Sequence, residues 1–198
     1  MPEPDTFLTI AAPVEGLYKA KGSKFIALAY PVVSEKEVKE ELTQIRKQYY
    51  DARHHCYAYM LGEQGQHYRA NDDGEPSHSA GDPILGQIRS RNLTGVLVIV
   101  VRYFGGIKLG VSGLIQAYKT ATGDALDKAE IIQKVIPAQL TIRFSYDWMN
   151  AVMKLVKDYD MEIISQHFTK TCQMSLSVRK RLAEEVKAKF SLLDVEVE

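Results

Sequence analysis

The run Gly95-Val96-Leu97-Val98-Ile99-Val100-Val101-Arg102-Tyr103 constrains the fold of this chain more than any other stretch. It stays apolar without alternation until Arg102, which predicts a central strand buried on both faces. The strand runs into Phe104-Gly105-Gly106-Ile107-Lys108-Leu109-Gly110 and then into a helical pattern. A buried strand feeding a glycine-rich basic loop at a helix start gives the backbone room to approach a phosphate, with Arg102 and Lys108 as cations to hold it. Tyr103 and Phe104 add rings on which bases can stack. The same glycines also fit a plain tight turn, where positive φ and close packing select glycine. The loop is not a Walker loop, because it lacks the spacing and the Lys-Ser/Thr ending.

Upstream, Thr6 to Ile10, Glu15 to Ala20 and Ser23 to Tyr30 read as strands, with Lys21-Gly22 as a turn. Ser34 is placed to cap a helix through Tyr49, since Val38, Leu42, Ile45 and Tyr49 share one face. His55 to Leu61 alternates as a strand, Gly62 to Gly65 turns, and Gln66 to Ala70 returns. Asp82 is expected to cap a short helix with Pro83 at its first position. After the glycine loop, Leu114, Ala117, Tyr118, Ala121 and Ala125 give helical spacing to about Lys128, with Ser112 as the expected cap.

A boundary is expected around Ile132 to Pro137, where a proline precedes a fresh strand, Ala138 to Phe144. Ser145 is expected to cap a helix to Tyr159, Met161 to Phe168 and Thr171 to Val178 to form a hairpin, Leu182, Val186 and Phe190 to mark a helix, and Leu192 to Val197 a last strand. That order, βαββαβ, is the ferredoxin-like pattern. The chain is thus expected to be α+β with two domains, residues 1–132 and 137–198.

At 198 residues the chain fits two compact units, or one large one, with ample apolar content for a core. Lys plus Arg and Asp plus Glu balance at 25 each, so any nucleic-acid binding must come from a local patch. Cys56 and Cys172 sit in alternating apolar segments and read as reduced core residues. No stretch reaches membrane-spanning length, and the start lacks a leader's basic and apolar regions, which makes the cytoplasm the expected compartment. The acidic turn Asp72-Asp73-Gly74-Glu75-Pro76-Ser77-His78 admits three readings: a hard-metal or acid/base cluster, a solvated turn, or an acid that pairs with Arg102 or Lys108. In His54-His55-Cys56, His55 and Cys56 cannot make a dyad, because neighbours on a strand point to opposite faces, so Cys56 would need His54 or a distant histidine and reads rather as a buried small hydrophobe. Arg179-Lys180-Arg181, with Lys187 and Lys189, can add a basic face to the second domain.

Gly22-Ser23-Lys24-Phe25-Ile26-Ala27, Ala52 to Tyr59, Asp73-Gly74-Glu75-Pro76-Ser77 with Ala80 to Leu85, and Val101 to Gly110 together resemble the IMPACT family, in particular its bacterial YigZ-type members. The resemblance implies an N-terminal ribosomal-protein-S5 domain-2-like fold, close to domain IV of the translocating elongation factor, and a ferredoxin-like C-terminal domain like that factor's domain V. It also implies a link to translation: eukaryotic relatives regulate it by interfering with a starvation-responsive kinase, through parts that include a domain absent here. Two departures stand out, His78-Ser79 in place of Gly-Thr and Ser112-Gly113 in place of Gly-Gly.

The expected function is a non-enzymatic, translation-associated regulator that binds RNA or a ribosomal surface. The contact residues expected are Arg102, Tyr103, Phe104, Gly105, Gly106, Lys108 and Gly110, as the floor of a pocket shared with Asp72, Asp73, Glu75, His78 and His54. No cofactor, metal or membrane contact is expected. Two alternatives stay open: an enzyme acting on a phosphorylated small molecule through the loop and the acidic turn, and a protein-interaction adaptor.

Overall fold

The computed structural model describes residues 5–198. The reading of the start as leaderless falls on residues 1–4 and so lies outside the described residues, apart from Asp5. The first strands are Thr6–Ile10 (β1), Val14–Ala20 (β2) and Ser23–Pro31 (β3). Lys21 and Gly22 both take positive φ, 45° and 76°, which is the primed turn that matches the twist of a two-residue hairpin. Glu35–Gln48 (α1) follows, with Ser34 accepting the Glu37 N–H as its cap.

His54–Leu61 (β4) and His67–Asn71 (β5) form the next hairpin, then come Gly81–Ser90 (α2), Val96–Tyr103 (β6) and Gly110–Asp127 (α3). The five-stranded sheet has the order β2-β3-β6-β4-β5. β6 lies at its centre, antiparallel to β3 and β4. Alternation then divides it: Leu97, Ile99 and Val101 pack with Val38, Leu42 and Ile45 of α1, whereas Val96, Val98 and Val100 pack with α2 and α3. All six are fully buried, as a strand covered on both faces requires.

Ile131–Val135 (β7) pairs with β1 in a two-stranded sheet. The stretch expected to hold the boundary is therefore partly strand. By density of contacts the chain divides into two compact units, one of Phe7–Lys134 and one of Val135–Glu198 with the stretch ending at Thr6. The second unit holds Pro137–Phe144 (β8), Met149–Asp158 (α4), Glu162–Phe168 (β9), Cys172–Arg179 (β10), Ala183–Ser191 (α5) and Glu196–Val197 (β11). Its sheet order, β11-β8-β10-β9, is the ferredoxin-like one. Leu140, Ile142, Met174, Leu176, Val152, Val186 and Phe190 make its core. The molecule is α+β with two units, each with its own core.

Four local expectations need correction. Asp82 lies inside the first turn of α2 rather than capping it. Asp72 serves that end instead, its Oδ1 accepting the N–H groups of Ala80 and Gly81 at 2.9 and 2.8 Å. Ser112 is likewise inside α3, which begins at Gly110 with no side-chain cap. Ser145 makes no cap bond either, since a 3-10 turn at Tyr146–Trp148 comes before α4. The last strand is only Glu196–Val197, because the chain after α5 turns back through a residue in the left-handed region, Asp194.

Candidate functional site

The end of β6 and the start of α3 are joined by the glycine loop, and Gly105 and Gly110 there are glycine for different reasons. A Cβ on Gly105 would stand 1.9 Å from the Gly22 carbonyl carbon and 2.2 Å from the Ser23 nitrogen, so the loop closes on the β2-β3 turn only as glycine. The Gly105 N–H is held there by the Ser23 hydroxyl at 3.1 Å. Gly110 takes φ 75° with open space where a Cβ would lie, and its turn starts the helix. The docked turn brings exposed Lys21 and Lys24 to the same edge as the loop, with Lys24 directly opposite Tyr103 across the sheet.

Beside the loop lies a cavity of about 830 Å³. His54, Glu75, Arg102, Tyr103, Phe104, Lys108 and Gly110 line it, as do Asp51, Arg53, Val111 and Leu114. Arg102, Leu114 and the Glu75 side chain are buried and form its floor. Phe104 is 53% exposed and Val111 52%, so they form the rim with Arg53 and Lys108. α3 begins on this wall with no side-chain cap and no acidic residue in its first turn, which leaves its first N–H groups and the positive end of its dipole unmatched.

Arg102, expected to help hold a phosphate or to pair with an acid of the turn, is buried. Its register opposite Phe25 on β3 turns it inward, where Nη1 meets Glu75 Oε1 at 2.5 Å. The guanidinium carbon sits 5.5 Å from the Phe25 ring centre and 5.7 Å from that of Phe104. Such stacking suits a weakly hydrated, planar cation. Tyr118 of α3 donates to the same Glu75 oxygen at 2.7 Å, and Cys56 lies 3.3 Å from the Tyr118 hydroxyl. Burial pushes the Cys56 thiol up to about 12, so it is a buried donor and no nucleophile. Burial also raises Tyr118, which stays a neutral donor to Glu75. Of the three readings of the acidic turn, an acid paired with Arg102 is the arrangement present at Glu75.

Asp72, Asp73 and His78 do not line the cavity, contrary to expectation. Asp72 turns to the backbone of its own loop and of α2, including the His78 N–H at 2.9 Å. Asp73, at φ 42°, accepts the His55 N–H at 2.7 Å and pairs with Arg46 at 3.0 Å. His78, at φ 64°, points to Asp82 with Nδ1 2.6 Å from Oδ2, which raises its pKa above the ordinary 6.5. These carboxylates diverge because each satisfies local backbone donors, the usual use of Asp in turns. Among the described residues no three His, Cys, Asp or Glu side chains are grouped to hold a metal.

His54 does line the cavity, with Nδ1 donating to the Asp73 carbonyl at 2.9 Å. Its other ring nitrogen is then the acceptor in the neutral form. Sequence reasoning missed Arg53, Asp51, Lys21 and Lys24. Asp51 accepts the Tyr103 hydroxyl at 2.7 Å and so raises that phenol to about 12. A signal existed in the pairing of strands, since once β3 and β4 flank β6, Lys24 and Arg53 fall at the end where the loop begins. In the second unit, Arg179 and Arg181 pair with Asp5 and Lys187 with Glu184, so the expected basic face is partly neutralised. No helix among the described residues is long and apolar enough to cross a membrane.

The model of the Impact N-terminal domain matches residues 21–126, which includes every residue lining the cavity. The IMPACT family member YvyE of Bacillus subtilis (strain 168) is 32% identical over 159 residues, covering 80% of this chain and 73% of that protein. The IMPACT family member YigZ of Escherichia coli (strain K12) is 29% identical over 189 residues, covering 94% of this chain and 93% of its own. A crystal structure of a hypothetical protein superposes with a TM-score of 0.76 at 28% identity, over 98% of this chain and 97% of the other.

Proposed function

Since the chain belongs to the IMPACT family and is similar along nearly its whole length to the bacterial member YigZ, we propose that it is a translation-associated protein that binds RNA or a ribosomal surface. One observation carries the reading: Lys21, Lys24, Arg53 and Lys108, none of them in an ion pair among the described residues, gather at the edge that also presents Phe104 and the uncapped start of α3. In a chain with net charge zero, such a local cluster is the electrostatic feature a polyanion would meet. Phe104 adds a face on which a base can stack.

Arg102 and Glu75 take a supporting part in this reading. They brace the floor, and the exposed cations contact the backbone of the polyanion. The alternative of an enzyme on a phosphorylated small molecule is less well supported, because Asp73 and His78 face away and Glu75 is tied to Arg102 and Tyr118. Exposed Ile107 and Val111 beside the cations suit an adaptor's protein partner, and a ribosomal surface offers protein and RNA together.

Measuring RNA affinity as a function of salt tests the proposal. Each phosphate contact contributes to a linear fall of log affinity with log salt, and replacing Lys108 and Arg53 by Ala should make that fall shallower by about one to two contacts. An RNA affinity that ignores salt, or a slope unchanged by the double replacement, would count against it.

A further inference from the structure

We propose that the floor of the cavity is a seat for one terminal phosphate group, a phosphomonoester carried either by an RNA end or by a small phosphorylated molecule. The inference rests on reading this cavity as a binding face and adds the chemical group that it takes. Two independent features point to an oxyanion. The first is the start of α3, an 18-residue helix that opens on the cavity with neither a capping side chain nor an acid in its first turn.

The second is Arg102 itself. Its side chain is only 8% exposed, yet of its donors only Nη1 is hydrogen-bonded within the described residues, and Nε is fully buried with no partner. A buried guanidinium with donors unmet is costly; with Nη1 given to Glu75 and Nε sealed from solvent, Nη2 is the donor left to meet an entering oxyanion. Arg102 lines the same cavity as Gly110 and Val111, so an anion entering there meets the guanidinium on one side and the helix start on the other. Lys108 stands at the rim. Glu75 and Asp51 temper the field, but Glu75 is already bound to Arg102 and Tyr118, and Asp51 to Tyr103.

The depth of the seat decides between phosphate types. Arg102, Leu114 and the Glu75 side chain are buried at the floor, whereas Phe104, Lys108 and Val111 are at the rim. A terminal phosphate reaches such a floor end-on, with its ester group leaving toward Phe104. An internal diester must leave on both sides and is better served by the exposed cations outside.

The test is a titration of the full chain with inorganic phosphate, AMP and adenosine, followed by oligoribonucleotides with and without terminal phosphates. Phosphate and AMP should bind saturably and adenosine should not. Val111→Asp, which adds a carboxylate to an exposed position in the first turn of α3, should weaken AMP at least about tenfold without lowering thermal stability, because an acid there favours the helix dipole. Lys108→Glu, also exposed, serves as a second variant should the first fail to fold, and the same direction is expected. A preference for phosphorylated RNA ends assigns the group to RNA, and AMP binding with no such preference assigns it to a small molecule; both uphold the seat. No saturable phosphate or AMP binding overturns it, as does binding unchanged in the folded variant. RNA binding that ignores terminal phosphates and phosphate itself overturns the seat while leaving the RNA reading intact; phosphate binding without RNA or ribosome binding does the reverse.

Discussion

Arg102 and Glu75 meet at 2.5 Å with side chains 8% and 4% exposed, and this pair joins the central strand to the acidic turn beneath the cavity. Replacing Glu75 by Ala strands a buried guanidinium, for which a loss of about 3–5 kcal/mol is expected. Tyr118→Phe removes one donor to the same carboxylate and should cost less, about 1–3 kcal/mol. Urea denaturation of the three proteins checks the order.

Gly105→Ala should destabilise the loop by at least about 1–3 kcal/mol, since the new Cβ meets backbone that has no rotamer to yield. Gly106, at φ 90° with nothing within 4 Å, should tolerate Ala better, at the left-handed cost of about 1–2 kcal/mol. Thermal melts of the two variants separate a steric clash from backbone strain.

The legibility of the fold followed from where its energetics are local. The apolar run of β6, the Ser34 cap, the Lys21-Gly22 turn and the strand and helix order of the second unit all rest on patterns spanning a few residues, so they could be read in sequence. The start of α2 could not, because its N–H groups are met by Asp72 from the preceding loop, and a Cβ on Gly81 would lie 2.5 Å from the Asn71 nitrogen. Nor could the orientation of Arg102. The acidic turn admitted pairing with Arg102 or Lys108, and only the register with Phe25 and the return of Glu75 decide for a buried Arg102. Of the residues expected in the pocket, His54, Glu75, Arg102, Tyr103, Phe104, Lys108 and Gly110 come together; Gly105 and Gly106 belong to the loop but do not line the cavity, and Asp72, Asp73 and His78 are spent on turns.

Cys56 should resist alkylation in the native state at pH 8, because its thiol is buried and pushed up to about 12. Labelling should appear only under conditions that unfold the chain. Rapid native labelling followed by mass spectrometry would contradict the buried network with Tyr118.

His78 should titrate above 6.5, owing to its hydrogen bond and charge contact with Asp82, and Asp82→Asn should return it toward that value. The folded pKa is raised, so the stabilisation from this pair is fully present below the unfolded value and is lost as pH rises through the folded one. NMR titration of the ring protons in both proteins reads the shift directly.

The most direct measurement is co-sedimentation of the full chain with bacterial ribosomes at low and high salt, using the unaltered protein and the Arg53→Glu, Lys108→Glu double variant. Both positions are exposed, so the fold should be kept. The unaltered chain should sediment with ribosomes at low salt and be released as salt rises, and the folded double variant should stay in the supernatant. Ribosome association that is equal in the two proteins, or none at low salt for either, would contradict the proposal.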